Sequence, residues 1–595
     1  MLALGLVPRL AFVHAFPTRP VSDFQSIVEF ALYLRDHSWI TNGWYWEYFS
    51  PGLPVVLSVL FRIFPGSPDD AARLATAVVC GLMPLLPFVI WRGVTPLWVR
   101  TLAGTMLAAW PGQVLFSGVV AQDNWVLPPA VALGALAARA LIARHGGYPV
   151  AAGLLFAFGV AMRQEMLIAL LPLLAGGAGL GSPAGRRWRN VALVSLAAGL
   201  PLLGLAVHRG LATGRYALTS EHGGMALLGS YIPGASVNFW TDPLPFVATA
   251  EPALLRDPDL ASLHRSASRL ALREALRRPG FHAARITASV LKHSVDSEGD
   301  NLYWSVGHAD TLPEPARARG QAVMKRLGEP LYWEMLLVLA LFLAAVALAI
   351  RRRDAAVLAL AAAILLKVGL HGVVVVQSRY MLAATALAIL AVALGAWTAV
   401  RGRALRPVLM ALGAGAAGSL AIALSAPPAL AWVRTHDRQE AQLTYRFPAV
   451  RFPMATWGSE AVLDCVVERG LVASLNPVPA LRTLHQDPAP GEAATADCTL
   501  AGPSRSPLAL RLHDPYALGG LPGRMVQRVE VDGAEVFRHD LAAEAGTGWA
   551  EIPLGILPRG ARKRIRIEIL AIRPDPGAAW GNAASTEFEL VKEKP

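Results

Sequence analysis

Long apolar runs alternate with short arginine clusters until about residue 430, after which the chain changes to short segments of β character. Apolar runs approaching about 20 residues are the signature of membrane-spanning helices. The clusters are Arg92 and Arg100; Arg144; Arg186, Arg187 and Arg189; Arg351, Arg352 and Arg353; and Arg401, Arg403 and Arg406. Cytoplasmic loops collect Lys and Arg. Placing every cluster on that side demands an even number of spans between neighbouring clusters. Runs near 97–115 and 124–143, then 148–163 and 166–180, meet that demand. So do those near 190–208 and 331–350, and near 354–376 and 380–400, and a last run near 404–428 leaves the cytoplasm.

The segment Pro51–Phe64 decides the front end, because at about fourteen residues it is short for a span. Counted as one, it would put Arg92 and Arg100 outside. Read as a helix lying in the interface, it restores the parity. The first run, from Met1, lacks a basic leader region and a small-residue cleavage site and so is a poor signal peptide. At roughly fifteen apolar residues interrupted by Arg9 it is also short for a span, so either an imperfect first helix tucks in or the start lacks some residues. The expected fold is a polytopic α-helical membrane protein with about eleven spans, N-terminus inside and C-terminus outside.

This topology leaves three extracytoplasmic parts: a first outer loop at 17–69 with interfacial helices, a large outer loop at 209–330, and everything after the last span. The expected domains are therefore 1–432, in the membrane, and 433–595, outside it. In the latter, Arg528–Val531 and Ala534–Phe537 flank Asp532-Gly533, a strong hairpin signal. Arg564–Ile569 alternates with period two, as a half-buried strand does. This part reads as a β-sandwich-like domain. It holds Cys465 and Cys498, for which an oxidising compartment favours a disulfide over two unpaired buried thiols; Cys80 falls in a span.

The chain has 595 residues, 54% hydrophobic and 16% charged, with a formal net charge of +12. Much of the excess sits in the inter-span clusters, so topology accounts for it and no nucleic-acid partner is expected, since no recognised motif accompanies the charge. Against this background the acidic residues stand out. Asp23 comes just after the first apolar run, and Asp123 lies at the edge of a later span. Carboxylates at membrane edges are costly unless solvated or paired, which makes both functional-site candidates. Each also has a bland reading, as the cap of the next helix. On the derived topology both face the same side.

The motifs and their order resemble the GT-C glycosyltransferases, in the branch of protein O-mannosyltransferases and lipid A aminoarabinose transferases. Asp23 after the first span is similar to the family's catalytic acidic position. The stretch Trp46-Glu47-Tyr48-Phe49-Ser50-Pro51-Gly52-Leu53-Pro54 is similar to its aromatic-Glu-x-Pro-Pro-Leu stretch. Asp123 matches a second acidic position after the third span, and Arg379-Tyr380 an Arg-Tyr pair that opens a late span. His222 sits in Glu221-His222-Gly223-Gly224, like a Gly-Gly loop of bacterial members. The resemblance covers about residues 1–400 and leaves the C-terminal domain unmatched. Here Asp23 precedes Phe24 where O-mannosyltransferases have a second carboxylate, and Pro-Gly-Leu-Pro replaces Pro-Pro-Leu. Both departures bear on the acceptor class more than on the reaction type.

The resemblance implies an integral plasma (inner) membrane enzyme whose active site and C-terminal domain face the periplasm or exterior. It would move a sugar from a polyprenyl-phosphate donor to an extracytoplasmic acceptor, by an inverting-type displacement. Asp23 is the expected general base, with Asp123 as a second catalytic candidate. Arg379 is the first candidate for the donor phosphate, which guanidinium meets bidentately. Arg163 and Lys292, near the outer face, come next, and Glu47, His222 and Tyr380 complete the substrate-binding set. Glu47 and His222 admit a divalent metal, although two scattered residues are a weak ligand set. Lys367 and His371, one turn apart in a span, suggest a bundle-interior role, but Lys367 has the alternative of snorkelling to the interface. Trp44, Tyr45 and Trp46 read as an interfacial aromatic belt in preference to a stacking surface for sugar or lipid, and Trp457, Trp549 and Trp580 as sandwich core in preference to sugar platforms. The alternatives from other classes are a non-catalytic transporter or flippase of lipid-linked glycans and a tethered glycan-binding protein.

Overall fold

The computed structural model describes residues 1–21, 23–37, 46, 49–144, 147–179, 184–218, 223–232, 243, 246–247, 260–295, 299–307, 311–313, 315–374, 378–402, 405–444, 450–455, 461–469, 471–473, 480–482, 493–504, 506–517, 525–540, 549–571 and 584–592. The chain divides into two compact units, Met1–His222 with Ile286–Ala429, and Gly223–Arg285 with Leu430–Pro595. The main helices are α1 (Leu2–Ala15), α2 (Asp23–Asp36), α3 (Gly52–Ile63), α4 (Pro68–Leu82), α5 (Leu97–Ala109), α6 (Pro111–Phe116), α7 (Gln122–Ala143) and α8 (Pro149–Met162). They continue as α9 (Ala184–Thr213), α10 (Gly223–Leu228), α11 (Leu260–Arg277), α12 (Pro279–Val295), α13 (Ala316–Arg352), α14 (Ala355–Val373), α15 (Leu382–Arg401) and α16 (Leu405–Thr444).

Among the described residues, seven stretches are long and apolar enough to cross a membrane: Pro68–Ile90, Gln122–Ala143, Arg186–Thr213, Ala316–Arg352, Ala355–Val373, Arg379–Arg401 and Leu405–Val433. The other expected spans are shorter here. Three are the apolar helices Leu2–Ala15, Leu97–Ala109 and Pro149–Met162. The run at 166–180 is broken into Met166–Ala169 and Leu171–Gly177, the second opening with Pro172 in its first turn. Gly52–Ile63 forms a twelve-residue helix, as its short apolar run predicts. Helices α7 and α15 are apolar nearly all round and buried on nearly all sides, as expected of helices central to a bundle.

Two breaks in this bundle matter for the site. Helix α5 stops before Trp110-Pro111, because proline cannot donate to the preceding turn. The carbonyls of Leu107 and Ala108 are met instead by the fully buried Arg9 of α1, which donates to them at 3.0 Å each. Arg9 also donates to Gln113 Oε1 at 2.6 Å and to the Gly5 carbonyl at 2.8 Å. Every one of these is a charge-assisted bond, so α1, α5 and α6 are clamped together. The second break precedes α7, where Asn124 Nδ2 donates to the carbonyls of Phe116 and Val119 at 2.8 and 2.9 Å. Gln122 Nε2 donates to the Ser50 carbonyl at 2.8 Å, tying the segment before α3 to the same point.

The aromatic-belt expectation is corrected at Trp46. Its ring is 1% exposed and packs against Phe30 at 5.4 Å and His208 at 4.4 Å, so it belongs to the core between α2 and α9. Trp44 and Tyr45 lie outside the described residues, as do Trp457 and Trp580.

The C-terminal residues form a β-sandwich of antiparallel strands. One sheet has the order β1-β2-β5-β10-β7-β8 and the other β3-β4-β11-β6-β9, with β1 (Val450–Ala455), β2 (Val462–Arg469), β3 (Leu471–Ala473), β4 (Ala480–Arg482), β5 (Ala493–Ala501), β6 (Leu508–Ala517), β7 (Met525–Val531), β8 (Ala534–Asp540), β9 (Trp549–Gly555), β10 (Arg562–Ala571) and β11 (Ala584–Lys592). Ile565, Ile567 and Ile569 of β10 face the shared core while Arg564 and Arg566 face out. The β7–β8 hairpin turns at Asp532 (φ 52°) and Gly533 (φ 84°), the two positive-φ positions of a two-residue turn whose twist suits the strands.

Cys465 on β2 and Cys498 on β5 stand directly opposite in register and are disulfide-bonded. The bridge closes a sequence separation of 33 residues. Removing it by Cys465→Ala/Cys498→Ala is expected to cost the sandwich about 3–4 kcal/mol in the chain-entropy model. Denaturant unfolding monitored through the sandwich checks this; an unchanged midpoint would mean the bridge adds no constraint.

Candidate functional site

The site grows from a three-residue interruption between apolar helices. Helix α8 ends when Arg163 turns to extended backbone (φ −147°, ψ 119°), and Gln164 and Glu165 come before the next short helix. Two charged side chains are thus delivered at a helix end, Arg163 toward α7 and Glu165 toward α14. Arg163 Nη1 donates a hydrogen bond to Asp123 Oδ1 in the first turn of α7. Its Nε lies 2.5 Å from Glu165 Oε1, so one guanidinium bridges two carboxylates. Asp123 also sits at the N-terminus of α7, where the helix dipole favours an anion.

Glu165 has further partners. Lys367 Nζ of α14 donates to Oε1 at 3.2 Å, and His371 Nε2, one turn on, is 3.9 Å from the same oxygen. Lys367 is 2% exposed. It therefore does not snorkel; the carboxylate meets it inside the bundle. Burial alone would raise the pKa of Glu165, but Arg163, Lys367 and His371 outweigh burial and hold it well below the usual carboxylate range.

Tyr380 joins this buried group to a more accessible one. Arg163 lies over its ring at 4.4 Å, and His371 stacks on it with centroids 5.2 Å apart. Its hydroxyl accepts from Arg379 Nη2 at 3.3 Å. Arg379 is itself buried, with Phe24, Trp304 and Tyr380 rings 4.8, 5.4 and 5.2 Å from its guanidinium carbon. Asp23, at the start of α2, is 3.7 Å from Arg379 Nη2. The carboxylate of Asp23 is 61% exposed while that of Asp123 is 6% exposed. Of the two aspartates, only Asp23 is open to an incoming molecule.

Asp23, Asp123, Arg163, Arg379 and Tyr380 are thus brought together. Lys292 lies half-buried in the last turn of α12, whose Ile286 and Val290 pack against Gly372 beside His371. Glu47 and His222 lie outside the described residues. Among the described residues no three of His, Cys, Asp or Glu converge as a metal-ligand group. Glu165 and Trp304 are site residues that sequence reasoning misses, and Glu165 carries the charge. Its signal is an acid two residues after an arginine, between two apolar runs. Lys367 and His371 are conspicuous in the sequence as intramembrane polar groups, but only the structure joins them to the site.

No family model and no curated protein matches the chain. Solved structures do. The oligosaccharyltransferase of Archaeoglobus fulgidus, in complex with zinc and sulfate, aligns at 16% identity with a TM-score of 0.35, over 76% of this chain and 59% of its own. The oligosaccharyltransferase AglB of Archaeoglobus fulgidus with an inhibitory peptide and a dolichol-phosphate gives 16%, 0.33, 76% and 62%. Arabinosyltransferase EmbB of Mycobacterium smegmatis gives 12%, 0.25, 99% and 64%. The chain spans about three-fifths of the length of the solved structures it matches.

Proposed function

We propose that the chain is a membrane glycosyltransferase that moves a sugar from a polyprenyl-phosphate carrier to an acceptor outside the cytoplasm. The observation that supports this best is the pairing of an open carboxylate, Asp23, with a buried cation, Arg379, walled by Phe24, Trp304 and Tyr380. A guanidinium removed from water interacts more strongly with a phosphate than one in water does. An apolar, aromatic approach also suits a donor that arrives on a lipid.

In the proposed reaction the donor phosphate takes Arg379 and draws it from Asp23, with which its contact is loose at 3.7 Å. Asp23 then accepts the proton of the acceptor hydroxyl. The acceptor oxygen bonds to the anomeric carbon as the bond from that carbon to the phosphate oxygen breaks. The electron pair leaves on the lipid phosphate, whose growing charge Arg379 stabilises. Asp123, hydrogen-bonded to Arg163, holds the inner half of the site. The reading places this chemistry in residues 1–432, on the periplasmic or outer face of the plasma membrane, with 433–595 as an appended outer domain.

The test is transfer by purified protein in liposomes, with polyprenyl-phosphate mannose and polyprenyl-phosphate arabinose as donors and a labelled-sugar readout. Transfer from a lipid-linked donor is expected. Use of a nucleotide sugar in its place would overturn the proposal.

A further inference from the structure

Helix α11 packs through Ala267, Leu270 and Ala271 against Met225 and Leu228 of α10. The two helices are pinned where the Gly224 amide donates to His264 Nδ1 at 2.7 Å. Its opposite side carries a regular pattern. Arg265, Arg269, Arg273 and Arg277 recur every four residues and are exposed. At about 100° per residue they trace one stripe. Leu272 and Leu276 fall on the same sector, 60% and 70% exposed. The helix has one acidic residue, the buried Glu274, whose carboxylate lies 3.7 Å from Arg273 and 3.6 Å from Arg277.

A merely solvated face accounts for charge, but poorly for this arrangement. Like charges four apart disfavour an isolated helix, and the stripe repeats that spacing along its whole length. Scattered exposed leucines are ordinary. Two leucines one turn apart, set among arginines, match a helix whose apolar side chains enter the acyl boundary while guanidinium groups remain among headgroups. The neighbouring helix points the same way. Phe281, four residues beyond the end of α11, packs on Trp432 with centroids 6.2 Å apart. Trp432 lies at the end of the apolar stretch Leu405–Val433, where tryptophan marks a membrane–water boundary.

We propose that α11 rests on the membrane surface and binds anionic phospholipid headgroups through Arg265, Arg269, Arg273 and Arg277, with Leu272 and Leu276 in the acyl boundary. The chemistry recognised is a phosphate-bearing, negatively charged lipid surface. A protein partner or a second copy is the competing occupant.

The test uses the full chain with Leu272→Cys. Cys80 is buried and the other two cysteines are bonded, so the new thiol alone takes an environment-sensitive dye. In nanodiscs containing phosphatidylglycerol, a lipid-borne nitroxide should quench the dye and aqueous iodide should not. Arg269→Gln/Arg273→Gln should reverse that preference, by about fivefold in surface partitioning for each arginine lost. Arg269→Lys/Arg273→Lys should preserve it. Equal iodide quenching with and without anionic lipid would overturn the proposal, as would loss of shielding in the lysine variant. Shielding that rises with protein concentration in lipid-free detergent would assign the face to a second copy instead.

Discussion

Asp23→Asn is expected to lower kcat for sugar transfer by about 10²–10⁴-fold, the scale of losing a general base. The substitution keeps the shape of the side chain, but removes the basic oxygen. Asp23 is exposed, so the fold should be unaffected and the thermal midpoint in detergent should stay where it is. Donor KM should change little, because Arg379 keeps its aromatic walls and its bond to Tyr380. Arg379→Gln separates the roles: it should raise donor KM, since a neutral amide cannot meet the phosphate charge. Full turnover by Asp23→Asn would remove Asp23 from the base role. Asp123 would then be the remaining candidate, and Arg163 would have to release it before it could act.

Arg163→Gln should be the most destabilising change in the site. Arg163 is the described cation that bridges Asp123 and Glu165, and its loss takes from the buried Asp123 carboxylate its hydrogen-bonded cation. Breaking a buried pair in this way costs about 3–5 kcal/mol. Arg163→Gln/Asp123→Asn should recover part of the loss, because both charges are then gone. A double variant no more stable than Arg163→Gln would refute the pairing as its source. Glu165 adds a pH signature. Its folded pKa lies below the unfolded value of about 4.3, so its stabilisation is present above that pH. It is lost as pH falls further, through the folded value. Glu165→Gln should therefore be less stable at neutral pH and should lack this component of the acid decline.

Local features are readable from sequence and, the Cys465–Cys498 bridge apart, long-range pairings are not. The β7–β8 hairpin is predictable from Asp532-Gly533 and its flanking alternation, because turn geometry is encoded in adjacent residues. That β10 lies between β5 and β7 is decided by packing between distant segments. The same division runs through the site. Asp23, Asp123 and Arg379 stand out because charge at the edge of an apolar run is conspicuous. Glu165 does not, since its meaning lies in Lys367, 202 residues away. The snorkelling alternative for Lys367 is open in the sequence for the same reason: nothing near it shows that a carboxylate waits inside the bundle. Trp46 misleads because a tryptophan beside an apolar segment looks alike whether it faces headgroups or, as here, Phe30 and His208.

The buried Arg9 has a consequence for biosynthesis. An arginine at the centre of a lone helix raises the cost of membrane insertion by about 2.5–3.5 kcal/mol. The groups that receive it, the Leu107 and Ala108 carbonyls and the Gln113 side chain, emerge from the ribosome about a hundred residues later. Until then α1 has only its own Gly5 carbonyl to offer Arg9. Arg9 therefore meets its partners outside α1 only once α5 and α6 are made.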